Sequence, residues 1–191
     1  MNSFRDAAQT LFQALDRLGI DYAVGGSVAS SIHGLARATQ DLDLVVNLPI
    51  SKVAALHMAL SGIFYADDEA IGDAVRQGLC FNVIHLQSGF KFDLFIASRH
   101  PLGREQLAHG QEVRTAILGG EPIVFRVISA EDIVLVKLLW YREGGDVSER
   151  QWNDLMNLIT VQGGRLDTSY LVEEATRLGV SELLNRLFGT S

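Results

Sequence analysis

The sequence predicts an α/β fold, a mixed sheet flanked by helices that leads into a run of helices alone. Three observations carry this. Short β-type apolar stretches alternate with helical periodicity through residue 128. Turn-forming runs, "GGS", "QSG" and "GGEP", punctuate them. From Ser129 onward only helical spacing remains. Residues 1–128 are therefore expected to form the α/β domain, and 129–191 a C-terminal helical subdomain.

The elements follow in order. Phe4, Ala8, Leu11, Leu15 and Leu18 recur at helical spacing, so residues 3–18 read as an amphipathic helix closed by Gly19. "IDYAVGG" reads as a strand entering a glycine turn, "SVASSIHGLAR" as a short helix, and "QDLDLVVN" as the next strand. Pro49 and Ser51 introduce the helix "SKVAALHMALSG", with Gly62 as its cap. A polar stretch holding Asp67, Asp68, Glu69 and Asp73 receives no element. "CFNVIHL" and "FKFDLFIA" form an antiparallel hairpin across "QSG", and "EVRTAIL" and "IVFRVIS" a second pair around "GGEP". Ser129 caps "SAEDIVLVKLLWYRE", with acids in its first turn. Ser148 and Gln151 make a capping box for "SERQWNDLMNLITVQ", and "DTSYLVEEATRLG" and "SELLNRLF" complete the helical end.

Composition narrows the class. With 48% hydrophobic and 20% charged residues the chain is an ordinary globular one. A net charge of −7 argues against a surface that coats nucleic acid, although a local basic groove stays open. The N-terminus mixes charges into its apolar positions and lacks a signal-peptide core. No segment reaches the roughly 18 apolar residues of a membrane span, so no membrane partner is expected. The single cysteine, Cys80, can form no internal disulfide. A soluble, reducing, cytoplasmic setting follows, with Cys80 expected to be a buried, inert thiol.

Two weak signals stand close together. In "DLDLVV" residues two apart share a strand face, so Asp41 and Asp43 lie on one side and Leu42, Leu44 and Val46 on the other. "FKFDLFI" repeats the pattern with Asp93 opposite Phe92, Leu94 and Ile96. Clustered carboxylates repel one another unless something compensates them. A divalent ion with hard oxygen ligands does so, and three aspartates on neighbouring strands suffice for two ions. The plainer reading is that D-x-D is common and solvent-facing strand aspartates need no ligand. The later positions of an EF-hand loop are absent. Upstream, Gly25 and Gly26 permit a tight turn with backbone N–H groups close to an anion, and Ser27 adds a hydroxyl at a helix start. An ordinary strand-to-helix turn explains "GGS" equally well when taken alone. Neither G-x-x-x-x-G-K-[ST] nor G-x-G-x-x-G occurs there.

Taken as an ordered set, strand, Gly25-Gly26-Ser27, short helix, Asp41-x-Asp43 strand and a later Asp93 strand resemble the nucleotidyltransferase superfamily, the fold of DNA polymerase beta. The match spans roughly residues 20–97. Arg37 and Thr39, just before the acidic strand, are similar to the AbiEii-type toxins of toxin–antitoxin systems and to the minimal nucleotidyltransferases. The helices carrying Lys137 and the pair Arg150 and Asp154 resemble that branch too.

The resemblance implies metal-dependent transfer of an NMP from an NTP to an acceptor hydroxyl, with release of pyrophosphate. It implies Asp41, Asp43 and Asp93 as catalytic and metal-holding residues, for two Mg²⁺ or Mn²⁺ ions. Gly25, Gly26, Ser27, Arg37, Thr39, Lys137, Arg150 and Asp154 are implied to bind the nucleotide and its phosphates. The acceptor is tRNA or another RNA, a protein or a small molecule, and an antitoxin protein is an implied partner. A protein of the same fold that binds nucleotide or a partner without turnover is the alternative. The five histidines show no metal-ligand spacing.

Overall fold

The computed structural model describes residues 3–36, 39 and 41–189. Among these, seven strands form one mixed sheet in the order β3-β4-β5-β2-β1-β7-β6. The strands are β1 (Tyr22–Val24), β2 (Asp41–Val46), β3 (Phe64–Tyr65), β4 (Cys80–His85), β5 (Lys91–Ile96), β6 (Gln111–Thr115) and β7 (Ile123–Val127). The helices are α1 (Phe4–Arg17), α2 (Gly26–His33), α3 (Val53–Leu60), α4 (Asp68–Gln77), α5 (Gly103–Ala108), α6 (Ala130–Glu143), α7 (Glu149–Gln162), α8 (Thr168–Arg177) and α9 (Ser181–Phe188). Residues group into two compact units, Met1–Val28 with Ala38–Ile128, and Ala29–Arg37 with Ser129–Ser191.

The first unit contains the whole sheet. Strands β4 and β5 form the hairpin that "QSG" predicts, and β6 and β7 the second pair. A crossover sets β2 parallel to β5, in register from Asp41 opposite Lys91 to Val46 opposite Ile96. Alternation then sorts the side chains. Leu42, Leu44, Phe92, Leu94, Phe81 and Val83 are buried on one face. Phe4 of α1 meets Phe90 and Phe92, and Phe12 stacks on Tyr22 with ring centroids 5.1 Å apart. Burying one such ring contributes about 1.5–3 kcal/mol, so these contacts fix α1 against the sheet. Ser3 caps α1 by accepting from the Asp6 N–H, and Gly19 turns the chain at φ +58°.

Two helices and one strand of this unit depart from the expectation. The acidic stretch is the N-terminal half of α4: Asp67 accepts from the Ala70 N–H, and Asp68 and Glu69 occupy the first turn. Acids belong at that end, where the helix dipole favours them. Strand β3 is only two residues long, and α5 only six, both too short for periodicity to register.

The second unit is helical. Ser129 caps α6, Ser148 caps α7 and Asp167 caps α8, each through its side-chain oxygen. Asp132, fully buried in α6, accepts from the Tyr170 hydroxyl of α8 at 2.7 Å. Gln162 near the end of α7 donates to the His33 carbonyl. Among the described residues no helix is long and apolar enough to cross a membrane.

Candidate functional site

The register of the sheet assembles the site. Asp43 of β2 is the Cα partner of Asp93 on β5, and Asp93 is in turn the partner of Asn82 on β4. One row along, Asp41 faces Lys91, which faces Ile84. Period-two alternation keeps all six on the face opposite the core. Two carboxylates that lie 50 residues apart in sequence, 93 against 43, are therefore cross-strand neighbours.

The glycine turn closes over this row. Gly25 donates its N–H to the Asp43 carbonyl at 2.9 Å, continuing the β1–β2 ladder beyond Val24. Gly26 then turns at φ +54°, and a Cβ there would overlap the Asp43 carboxylate. Both facts demand glycine at 26. At Gly25 a Cβ would meet only the Ile128 methyl, at 3.6 Å. The Ser27 backbone N–H, at the start of α2, donates to the Asp43 carboxylate. Ser27 Oγ donates to Thr39 Oγ1 at 2.9 Å, and Thr39 Oγ1 donates to the Asp41 carbonyl at 3.1 Å. A hydroxyl chain thus ties the turn to the acidic strand. The anion met by the turn in this structure is a side chain of the protein's own.

Charge at the site is only partly balanced. Burial, together with the charges of Asp93 and Asp41, pushes the Asp43 carboxyl up to about 6, against the opposing pull of Lys91 and the Ser27 N–H. Lys91 Nζ lies 2.9 Å from Asp93 Oδ2, and that hydrogen bond holds the ammonium above its usual range. Asn82 Nδ2 donates to Asp93 Oδ1. Neither Asn82 nor Lys91 was among the expected site residues. The hairpin alternation in "CFNVIH" and "KFDLFI" places both on the face of Asp93, and that was the available signal.

Does this donor set suit a divalent cation? The Asp43 and Asp93 carboxylates stand on adjacent strands, and the raised Asp43 pKa reflects burial first and the neighbouring Asp93 and Asp41 charges second. The chemistry fits. Among the described residues, no group of three His, Cys, Asp or Glu side chains is already arranged to hold an ion. Asp43 and Asp93 converge as a pair, with Asp41 exposed one row away.

The remaining candidates are placed as follows. Arg37 lies outside the described residues. Lys137 of α6 is buried and pairs with Asp154 of α7, Nζ to Oδ2, at 2.9 Å. Arg150 is exposed on α7. Cys80 corrects an expectation: it is exposed on the open face of β4, not buried. Its thiol is nonetheless pushed up to about 12 by desolvation of the sulfur and by the Asp93 and Asp43 charges, so it is a poor nucleophile. A cavity of about 620 Å³ lined by Asp16, Asp21, Tyr22 and Arg126 sits at the start of β1, away from the carboxylates.

No family model matches the chain, and no curated protein matches it. Solved structures do. The antibiotic-resistance factor ANT(2'')-Ia in solution is similar at TM-score 0.57 and 15% identity, over 95% of this chain and 96% of that one. ANT(2'')-Ia in complex with adenylyl-2''-tobramycin is similar at TM-score 0.54 and 14% identity, over 89% and 95%. An antigenic nucleotidyltransferase-like protein from Paracoccidioides brasiliensis is similar at TM-score 0.51 and 19% identity, over 94% and 91%. The architecture is the mixed α/β fold of these proteins.

Proposed function

We propose that this chain, built on the nucleotidyltransferase fold, transfers an NMP from an NTP to a hydroxyl of a compact small-molecule acceptor. One observation carries the reading: Asp43 and Asp93 are register partners on adjacent parallel strands, beneath a glycine turn that has no room for a side chain. Two supports point to the acceptor. The protein's net charge of −7 disfavours a polyanion, and ANT(2'')-Ia, of the same fold, is seen with adenylyl-2''-tobramycin.

In the reaction the acceptor oxygen bonds to the α-phosphorus, the bond from that phosphorus to the β-bridging oxygen breaks, and pyrophosphate leaves with that electron pair. Asp41, Asp43 and Asp93 would hold divalent magnesium or manganese, two ions when the site is full, which neutralise the triphosphate and polarise its phosphorus. Asp93 would complete the second ion position and so assist deprotonation of the acceptor hydroxyl, whose proton passes to solvent. Gly26 and Ser27 frame the phosphates from the start of α2, and Thr39 steadies Ser27. Catalysis here is positioning and charge neutralisation. Lys137, Arg150 and Asp154 belong to the helical unit, where Lys137 pairs with Asp154, and the transfer step proposed here draws on none of them. The finer likeness to AbiEii-type toxins, and with it an antitoxin partner or an RNA acceptor, rests on Arg37, Thr39 and the helical sequence alone.

The test is transfer itself. Purified protein is incubated with each α-labelled NTP and Mg²⁺ against aminoglycosides, pooled tRNA and protein extract. Label on the small molecule, lost in Asp43→Ala and Asp93→Ala, is the expected result. Label on RNA or protein would move the acceptor class. Nucleotide binding without label on any acceptor would favour the non-catalytic alternative.

A further inference from the structure

Lys91 holds one carboxylate oxygen of Asp93, a residue proposed above to hold an ion. It stands two residues before Asp93 on β5, so both side chains share the open face of the sheet. Its Cα partner on β2 is Asp41, and its Nζ pairs with Asp93 Oδ2 at 2.9 Å. The two oxygens of Asp93 therefore have unlike partners. Oδ1 is held by Asn82, a neutral amide on the neighbouring strand. Oδ2 is held by a cation whose side chain is 42% exposed, while Asp93 itself is 15% exposed. The carboxylate is anchored on one side by an amide and clamped on the other by a charge with room to swing into solvent.

We infer that Lys91 is a resident counter-ion, which holds the acidic face together without metal and must release Asp93 Oδ2 before a divalent cation can take it. The inference rests on the proposed metal-dependent reading of the same carboxylates. An ammonium and a divalent ion repel strongly at contact distance in a partly desolvated site, so the two compete for one oxygen. Competition lowers the affinity for metal alone. A triphosphate arriving with the metal gives the freed ammonium a new anionic partner, which makes nucleotide and metal bind together more readily than either binds by itself. Lys91 is thus a positioning residue that ties metal loading to nucleotide.

The measurement is calorimetric titration of the nucleotide-free protein with Mn²⁺ alone, for wild type, Lys91→Met and Lys91→Arg. Circular dichroism checks that each variant is folded, which the exposure of Lys91 leads one to expect. Loss of one competing, half-exposed charge should tighten Mn²⁺ binding by roughly threefold to tenfold in Lys91→Met, while Lys91→Arg, which keeps the charge, stays near wild type. Mn²⁺ binding that Lys91→Met leaves unchanged or weakens overturns the counter-ion role and leaves the proposed function standing. Failure of all three proteins to bind Mn²⁺, even with a non-hydrolysable NTP present, overturns both.

Discussion

Two lysine–aspartate pairs in this protein have the same length and opposite settings. Lys91 meets Asp93 at 2.9 Å on the sheet, and Lys137 meets Asp154 at 2.9 Å between two helices. The Lys91 side chain is 42% exposed, that of Lys137 only 7%. Lys91 is surrounded by more acid than it can neutralise, since Asp41 and Asp43 share its face. Among the described residues Lys137 has one ion-pair partner to satisfy. A distance therefore says little about what an ion pair does. Enclosure makes the helical pair a structural commitment, whereas exposure and surplus charge leave the sheet pair free to exchange partners.

Lys137→Met should test this contrast most severely. It removes the cation from a largely buried pair, and breaking one half of such a pair costs about 3–5 kcal/mol. Urea unfolding should show that loss, and Lys137→Met combined with Asp154→Leu should recover most of it. A Lys137→Met protein that stays stable but loses nucleotide affinity would break the contrast and move the helical pair into the binding site.

Asp43 provides the next effect, through pH. Its carboxyl titrates at about 6 in the folded protein against 3.8 for an ordinary aspartate, so the folded state binds its proton more tightly than the unfolded chain. Below pH 4 both states are protonated and the stabilising contribution of that proton is fully present. As pH rises from about 4 through 6, metal-free protein loses this stability, by up to about 3 kcal/mol, because each pH unit between the two values is worth roughly 1.4 kcal/mol. Asp43→Asn cannot titrate and still offers an oxygen to the Ser27 N–H. Its stability relative to wild type should rise across that window and level off above it, as read by unfolding at pH 4, 5, 6 and 7.5. A flat difference would mean that burial and the neighbouring carboxylates do not raise Asp43.

The glycine turn gives a smaller, purely local effect. Gly26→Ala forces a Cβ onto the Asp43 carboxylate at φ +54°. Left-handed backbone alone costs about 1–2 kcal/mol for a residue with a Cβ, and displaced Asp43 should abolish transfer along with it. Gly25→Ala meets only a methyl at ordinary distance and should change stability by under about 0.5 kcal/mol. Equal effects at the two glycines would mean that the turn does not close on Asp43.

Much of this site was legible in the sequence, and the parts that were not share one physical cause. Alternation in "DLDLVV" and "KFDLFI" placed Asp41, Asp43 and Asp93 on solvent-side faces, and the fold class is observed. Which strands adjoin was not legible, because parallel pairing of β2 with β5 is set by a crossover and not by a local turn. Without that register Lys91 and Asn82 could not be assigned to the carboxylates. The α4 helix had a readable cap in Asp67, passed over because its acids stood out only as a polar stretch. The turn was expected to hold an external anion. The Ser27 N–H also meets Asp43, a contact that depends on where two strands bring the chain back together.

Lys91→Met should have the smallest effect on stability, and its smallness is informative. An exposed pair is worth about 0–1 kcal/mol after side-chain entropy and solvent screening are counted. Unfolding of the metal-free variant at pH 7 should therefore lie within about 1 kcal/mol of wild type. The direction is destabilising, because Asp93, Asp43 and Asp41 then repel with their shared lysine removed. Raising the salt from 0.05 to 0.5 M, values chosen to shorten the screening length from about 14 Å to about 4 Å, should shrink even that difference. The same experiment on Lys137→Met should show a weaker salt dependence, since Lys137 is only 7% exposed against 42% for Lys91. A Lys91→Met loss as large as that of Lys137→Met would mean that the sheet pair is a fixed strut, unable to let Asp93 go.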